Sequence, residues 1–183
     1  MSARDVAWLT ASATARRIGV KGPQAAAVLE AAGIPLPPRA NSWLPLREAV
    51  GDAPAAIVAR LGNTEFFFEE SDDAPAIAAV EATLARGAPG AYPVLREDRA
   101  LVLGGTAAGD VLAEVCNVDF AALDCAARPV VMTLMIGVGV LILPQPAVAG
   151  QTIYRIWCDP SYGTYLATEL ATIVTRISSG SLQ

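Results

Sequence analysis

Histidine is absent from the 183-residue sequence, and with it goes the side chain that titrates near neutral pH and most often binds metals. Much hydrolytic and metal chemistry is thereby excluded. Positive charge is also scarce: 13 Lys and Arg stand against 18 Asp and Glu, for a formal charge of -5. Only Arg16 and Arg17 are adjacent. Binding to nucleic acid or to an anionic membrane needs clustered cations, so neither is expected as a partner. There are three cysteines, Cys116, Cys125 and Cys158, with no CxxC pair and no histidine to complete a zinc site. They read as core or free thiols, and no metal site is expected. The opening residues 1–5 lead into mixed polar sequence with neither a continuous apolar segment nor a cleavage site, so a cytoplasmic location is expected.

What the chain does have is apolar material, 54% of its residues against 17% charged, enough for one sizeable core or two small ones. No charge occurs between Arg128 and Arg155, and residues 130–143 are almost wholly apolar. Pro129, Pro144 and Pro146 bracket this run at about 14 residues, short of the roughly 20 that a spanning helix requires. Its Val, Ile and Gly content suits one long buried strand. Alternation along that strand puts Met132, Leu134, Ile136, Val138, Val140 and Ile142 on a core face. Thr133, Met135, Gly137 and Gly139 fall on the other, where small residues permit close approach. Those four are the expected partner interface.

Periodicity and turn residues divide the rest. Residues 17–21 read as a strand, Gly22-Pro23 as a turn, and 24–32 as a helix with Gly33 as its C-cap. Residues 56–61 and 65–69 form a hairpin around Gly62-Asn63, followed by Asp73 as N-cap of a helix over 74–86. About 83 residues after the first corner the pattern restarts: strand 100–103, turn Gly104-Gly105, helix 107–116, with Val28-Leu29 matched by Val111-Leu112. The long strand, a second strand over 152–158 and a helix over 160–176 introduced by Asp159-Pro160 complete it. Both halves therefore read β-α-β-β-α, and the expected class is α+β, two related ferredoxin-like subdomains packed together. The expected boundaries are an arm at 1–16, subdomains at 17–86 and 100–177, a linker at 87–99, and a flexible tail or cloning remnant at 178–183. The proline-rich stretch 34–45 is expected to be an ordered loop docked through Trp43 and Leu44.

Few residues offer chemistry. The run Gly104-Gly105-Thr106-Ala107-Ala108-Gly109 joins a strand to a helix, where a phosphate could sit. It lacks the GxGxxG spacing and reads as a structural corner. Among the acids around Phe66-Phe67-Phe68, alternation puts Phe66 and Phe68 on one face, and the later carboxylates fall at a strand end and a helix start. Only Glu65, at the strand entrance, leaves a ligand role open. Cys158 has no neighbouring base to activate it. Arg155, a lone guanidinium on an apolar strand, needs a carboxylate partner or an anionic ligand, of which the salt bridge is the commoner solution. No catalytic residue is assigned.

The segments RIGVKGPQAAAVLEAAGIPLP, PRANSWLPL, IVARLGNTEFFFEE, AYPVLREDRALVLGGTAAGDVLAEVCNVDF and YRIWCDPSYGTYLATEL, in this order over residues 17–177, resemble the sarcosine oxidase gamma-subunit family. The GPxAAxxL helix start at 22–29, the RLGxxEF hairpin at 60–66 and the VLAxxCxVDF element at 111–120 carry the similarity. It implies a fold like that of the folate-binding aminomethyltransferase and YgfZ-like superfamily. It also implies a non-catalytic structural subunit of a flavin-dependent, amine-demethylating complex acting on sarcosine or another N-methyl amino acid, such as N-methylglutamate. In such complexes the alpha-type (NAD/folate-binding) partner, with the beta and delta subunits, holds FAD, FMN, NAD and tetrahydrofolate. The runner-up is a stand-alone folate-binding protein of the YgfZ type, with Glu65 or Arg155 as weak candidates to contact the pterin or glutamate moiety. Working aminomethyltransferases place an N-terminal Asp beside the folate, and residues 5–17 offer no convincing match.

Overall fold

The fold is built from apolar strands joined either by hairpin turns or by glycine corners, at Gly22 and Gly105, that lead into a helix covering one side of a sheet. The computed structural model describes residues 6–12, 15–50, 53–71, 74–148 and 151–180. In chain order these form β1 (Trp8–Ala11), β2 (Ala15–Lys21), α1 (Ala25–Ala31), β3 (Ser42–Val50), β4 (Ala53–Arg60), β5 (Glu65–Ser71), α2 (Pro75–Ala85) and β6 (Tyr92–Leu95). There follow β7 (Arg99–Gly104), α3 (Ala108–Val115), β8 (Val131–Met135), β9 (Val138–Val148), β10 (Gln151–Cys158) and α4 (Gly163–Gly180). The chain divides into two units, one of Ala13–Glu97 and one of Met1–Ser12 with Asp98–Gln183.

The first unit carries an antiparallel sheet ordered β3-β4-β5-β2-β6, and the second a sheet ordered β8-β9-β10-β7-β1. Matching β2 to β7, α1 to α3, β4 to β9, β5 to β10 and α2 to α4 makes the two orders identical. The duplication read from the sequence is therefore present, and each unit is a β-α-β-β-α core with edge strands added. In the first unit the strand beside β2 is β6, which follows α2 directly. In the second the equivalent strand beside β7 is β1, which lies upstream of the entire first unit.

Each core forms where a sheet meets its helices. In the first unit Ile18, Val20, Leu29, Val58, Phe66, Phe68, Ile77 and Val80 are buried together. In the second, Leu101, Leu103, Val111, Leu112, Ile142, Ile156, Leu166 and Leu170 do the same. Each such side chain contributes about 1.5–3 kcal/mol on burial. The opposite sheet faces are buried too, at Ile57, Ala59 and Phe67 and at Leu141, Leu143 and Trp157. Two-sided burial explains why FFF and LIL appear as continuous apolar runs. The α1 terminus has the expected glycine cap: Gly33 N donates to Glu30 O and Ile34 N to Leu29 O, which satisfies carbonyls the helix leaves open.

Several expectations are corrected. Residues 130–143 are not one strand but the hairpin β8–β9, turned at Ile136 and Gly137, which both have positive φ (49° and 80°). That conformation at two central residues produces the tight turn whose twist suits a hairpin. The expected arm at 1–16 contains β1 and the start of β2, and the expected linker at 87–99 contains β6. The expected tail at 178–183 is helical through Gly180, with Ser178 buried and its Oγ donating to Ala7 O at 3.3 Å. The proline-rich loop ends at residue 41, because Ser42–Val50 is a strand and Trp43 is a buried part of it. Asp73 lies outside the described residues. Among the described residues the α2 N-terminus is capped from β5, where Glu70 Oε2 accepts from Ala76 N at 2.9 Å and Ile77 N at 3.1 Å. Asp159 caps as expected, accepting from Ser161 N at 2.9 Å ahead of α4. Among the described residues no helix is long and apolar enough to cross a membrane.

Candidate functional site

The two ligand candidates fall in different units. Glu65 opens β5 and pairs with Lys21 Nζ at 3.1 Å, with both side chains substantially exposed. Cross-strand register puts these residues directly opposite each other, so the pair is a surface contact between neighbouring strands. Arg155 lies mid-strand on β10, is 8% exposed, and sits with its guanidinium carbon 5.4 Å from the ring centre of Trp157. Residues two apart on a strand share a face, so the cation lies over the indole as a cation–π pair. Gln145 lies on the same sheet face, across from Ile153, and is buried with neither atom of its amide hydrogen-bonded among the described residues. Arg155, Trp157 and Gln145 thus share one sheet face, which β1 extends with Thr10, opposite Val102, and Trp8, opposite Gly104. Sequence reasoning missed Gln145, because its burial comes from the sheet and not from the prolines around it.

The acids beside the phenylalanine triplet serve the fold. Glu69, 1% exposed, forms an ion pair with Arg17 directly across on β2. Glu70 caps α2 and has Arg47 Nε 3.6 Å from its other oxygen.

Burial pushes all three thiols above their ordinary range. For Cys158 the neighbouring carboxylates of Asp98 and Asp159 add to the effect of burial and Arg99 opposes it. Cys125 is raised by burial and then by Asp124, and Cys116 by burial. A thiol held protonated is a poor nucleophile, which agrees with the absence of an adjacent base. Among the described residues no three Cys, Asp or Glu side chains converge as a metal-binding group.

The glycine corner before α3 is occupied by the chain itself. Ala107 N donates to Val6 O at 2.6 Å. A Cβ on Gly105, whose φ is +105°, would lie 2.6 Å from Val6 O and 2.7 Å from the Ala7 Cα. The place where a phosphate would meet the helix is filled by backbone. The first unit repeats the device: Gln24 N donates to Gly90 O at 2.9 Å, and a Cβ on Gly22 would lie 2.2 Å from that oxygen.

The expected interface must be redrawn because of the turn at Ile136-Gly137. Met135 is fully buried and opposes Val138 on the core side of the hairpin. Thr133 is half-buried on that same side, opposite Val140. The outward side instead carries Met132 and Leu134, which are 54% and 63% exposed. Gly137 and Gly139 remain exposed, and Gly139, opposite Leu134, has no side chain to cover it. The two-residue turn reverses parity on one side relative to the other: Val138, Val140 and Ile142 face the core as expected, whereas the residues before the turn are inverted, which is why Met135 was misplaced.

No family model and no curated protein matches the sequence. Solved structures do match. A chain of the heterotetrameric sarcosine oxidase from Corynebacterium sp. U-96, solved in complex with pyrrole 2-carboxylate, superposes with a TM-score of 0.74 at 21% identity, over 96% of this chain and 90% of that one. The glycine cleavage system aminomethyltransferase T from Bartonella henselae superposes with a TM-score of 0.60 at 18% identity, over 92% of this chain but 46% of its own. The chain therefore has the fold shared by this sarcosine oxidase chain and by about half of the aminomethyltransferase.

Proposed function

We propose that the chain is a gamma-like, non-catalytic structural subunit of a hetero-oligomeric, flavin-dependent complex that demethylates sarcosine or another N-methyl amino acid. The observation that carries this reading is the two-way match to the sarcosine oxidase chain, 96% of this chain against 90% of that one. Raised thiols, no histidine and glycine corners filled by backbone agree with a structural role. On this reading FAD, FMN, NAD and tetrahydrofolate reside on the alpha-type partner and the beta and delta subunits. The contact surface on this chain is the β8–β9 hairpin, with Met132 and Leu134 beside Gly137 and Gly139. The test is capture of the tagged chain from its native host. Co-purifying flavin absorbance and partner chains support the reading. A chain that comes out alone and binds reduced folate stoichiometrically sinks it in favour of the YgfZ-like alternative, with Arg155 and Glu65 as the residues to mutate next.

A further inference from the structure

The strand that completes the second unit is held by a seat made from missing side chains. Trp8 pairs with Gly104 across β1 and β7, and a Cβ on Gly104 would lie 2.3 Å from the indole Cζ2. The next glycine leaves room for the backbone of Val6 and Ala7, as its Cβ distances show. The segment is then fastened along its length. Ala107 N donates to Val6 O, Ser178 Oγ to Ala7 O, and Ser12 N to Ala100 O at 3.0 Å, with ladder pairs from Trp8 to Ala11 between them. Val6 and Ala7 are 2% and 4% exposed and belong to the core beside Leu103, Ala107 and Leu166.

In the first unit the matching seat at Gly22 is filled by Gly90 and β6, which follow from α2 within the same unit. In the second unit the occupant comes from the other side of the first unit, and α4 is followed by no strand in the sheet among the described residues. The seat has the chemistry of strand addition: an edge backbone offering ladder hydrogen bonds, a slot for one aromatic side chain, and a helix-start amide to receive a carbonyl.

We propose that the β7 edge with the Gly104–Ala107 corner is a strand-binding groove, and that residues 6–12 occupy it as a removable strap. The ligand class is an extended peptide with two small or β-branched apolar residues followed by tryptophan, and the occupant in this structure is the chain's own segment. The groove lies within one unit and does not depend on the proposed assembly.

The test starts from the full chain with a protease site inserted between Ser12 and Ala15. After cleavage the strap should remain bound through gel filtration, and a fluorescein-labelled peptide of residues 6–12 should then replace it saturably. The uncut chain should take up the label roughly 100-fold more weakly, because a tethered strap has an effective concentration in the millimolar range. A labelled peptide carrying Trp8→Ala should bind about tenfold or more weakly than the native one, a difference read on the ligand alone. Uptake by the uncut chain equal to that by the cut chain would place binding elsewhere and overturn the proposal. So would a cleaved strap that leaves without rebinding, or a cut chain whose second unit loses its amide protection when the strap is exchanged.

Discussion

Replacing Gly105 by alanine should be among the most damaging small changes available in the second unit, although it adds only one methyl group. Gly105 has φ +105°, where an L-residue costs about 1–2 kcal/mol. The new Cβ would sit 2.6 Å from Val6 O and 2.7 Å from Ala7 Cα, backbone atoms on a strand that cannot rotate away. The strand must shift, and the hydrogen bond from Ala107 N to Val6 O, worth about 0.5–1.5 kcal/mol net, is lost or lengthened. Partial exposure of Val6, now 2% exposed, adds about 1 kcal/mol. The expected loss is therefore about 2.5–4.5 kcal/mol. The control is Gly109→Ala, four residues on and within α3, where the Cβ would meet nothing within 4 Å. It should stabilise by about 0.5–1 kcal/mol through helix propensity. Urea unfolding followed by far-ultraviolet circular dichroism measures both. A Gly105→Ala chain within 1 kcal/mol of the parent would refute the packing argument, as would two glycines responding with the same sign.

Glu69→Ala should destabilise by about 3–5 kcal/mol, because it breaks an ion pair whose carboxylate is almost fully buried. Glu65→Ala, which breaks an exposed cross-strand pair, should cost about 0–1 kcal/mol, and thermal melts that rank the two the other way would contradict their burial. Ile136→Asn should be neutral or stabilise by about 1 kcal/mol, since asparagine tolerates the positive φ that a β-branched residue resists. A loss of several kcal/mol in the same melt would show that its side chain matters more than its backbone. With its thiol raised by burial first and by Asp98 and Asp159 next, Cys158 should resist iodoacetamide near pH 7 until urea unfolds the chain, and prompt labelling by mass spectrometry would show otherwise. Leu134→Glu should leave circular dichroism unchanged yet reduce partner capture from the host, and unchanged capture would move the contact surface elsewhere.

Local signals carried a large part of the fold. The strand-corner-helix units at Gly22 and Gly105, the Gly33 cap, the hairpin at Gly62-Asn63 and the Asp159-Pro160 helix start each depend on neighbouring residues, so they can be read from a window of a few positions. The repeat of one such window in the second half was enough to show duplication. The β8–β9 turn was less legible because Ile136 is a poor turn residue by type. Its positive φ is imposed by the strands it joins, with Ile136 N bonded to Val115 O at the C-terminal end of α3. One misread turn then moved Met135 from an interface into the core and left Met132 and Leu134 unrecognised on the surface.

The sequence by itself determined that the chain has no histidine, its α+β class and its internal repeat, because composition and short-range periodicity depend on residues near one another in the chain. Only the tertiary structure decided that β1 completes the second unit and β6 the first, that backbone fills both glycine corners, and which polar groups share the face of Arg155. These depend on pairings between segments tens of residues apart, whose selection rests on register and burial summed over a whole sheet and is therefore not encoded in any local window.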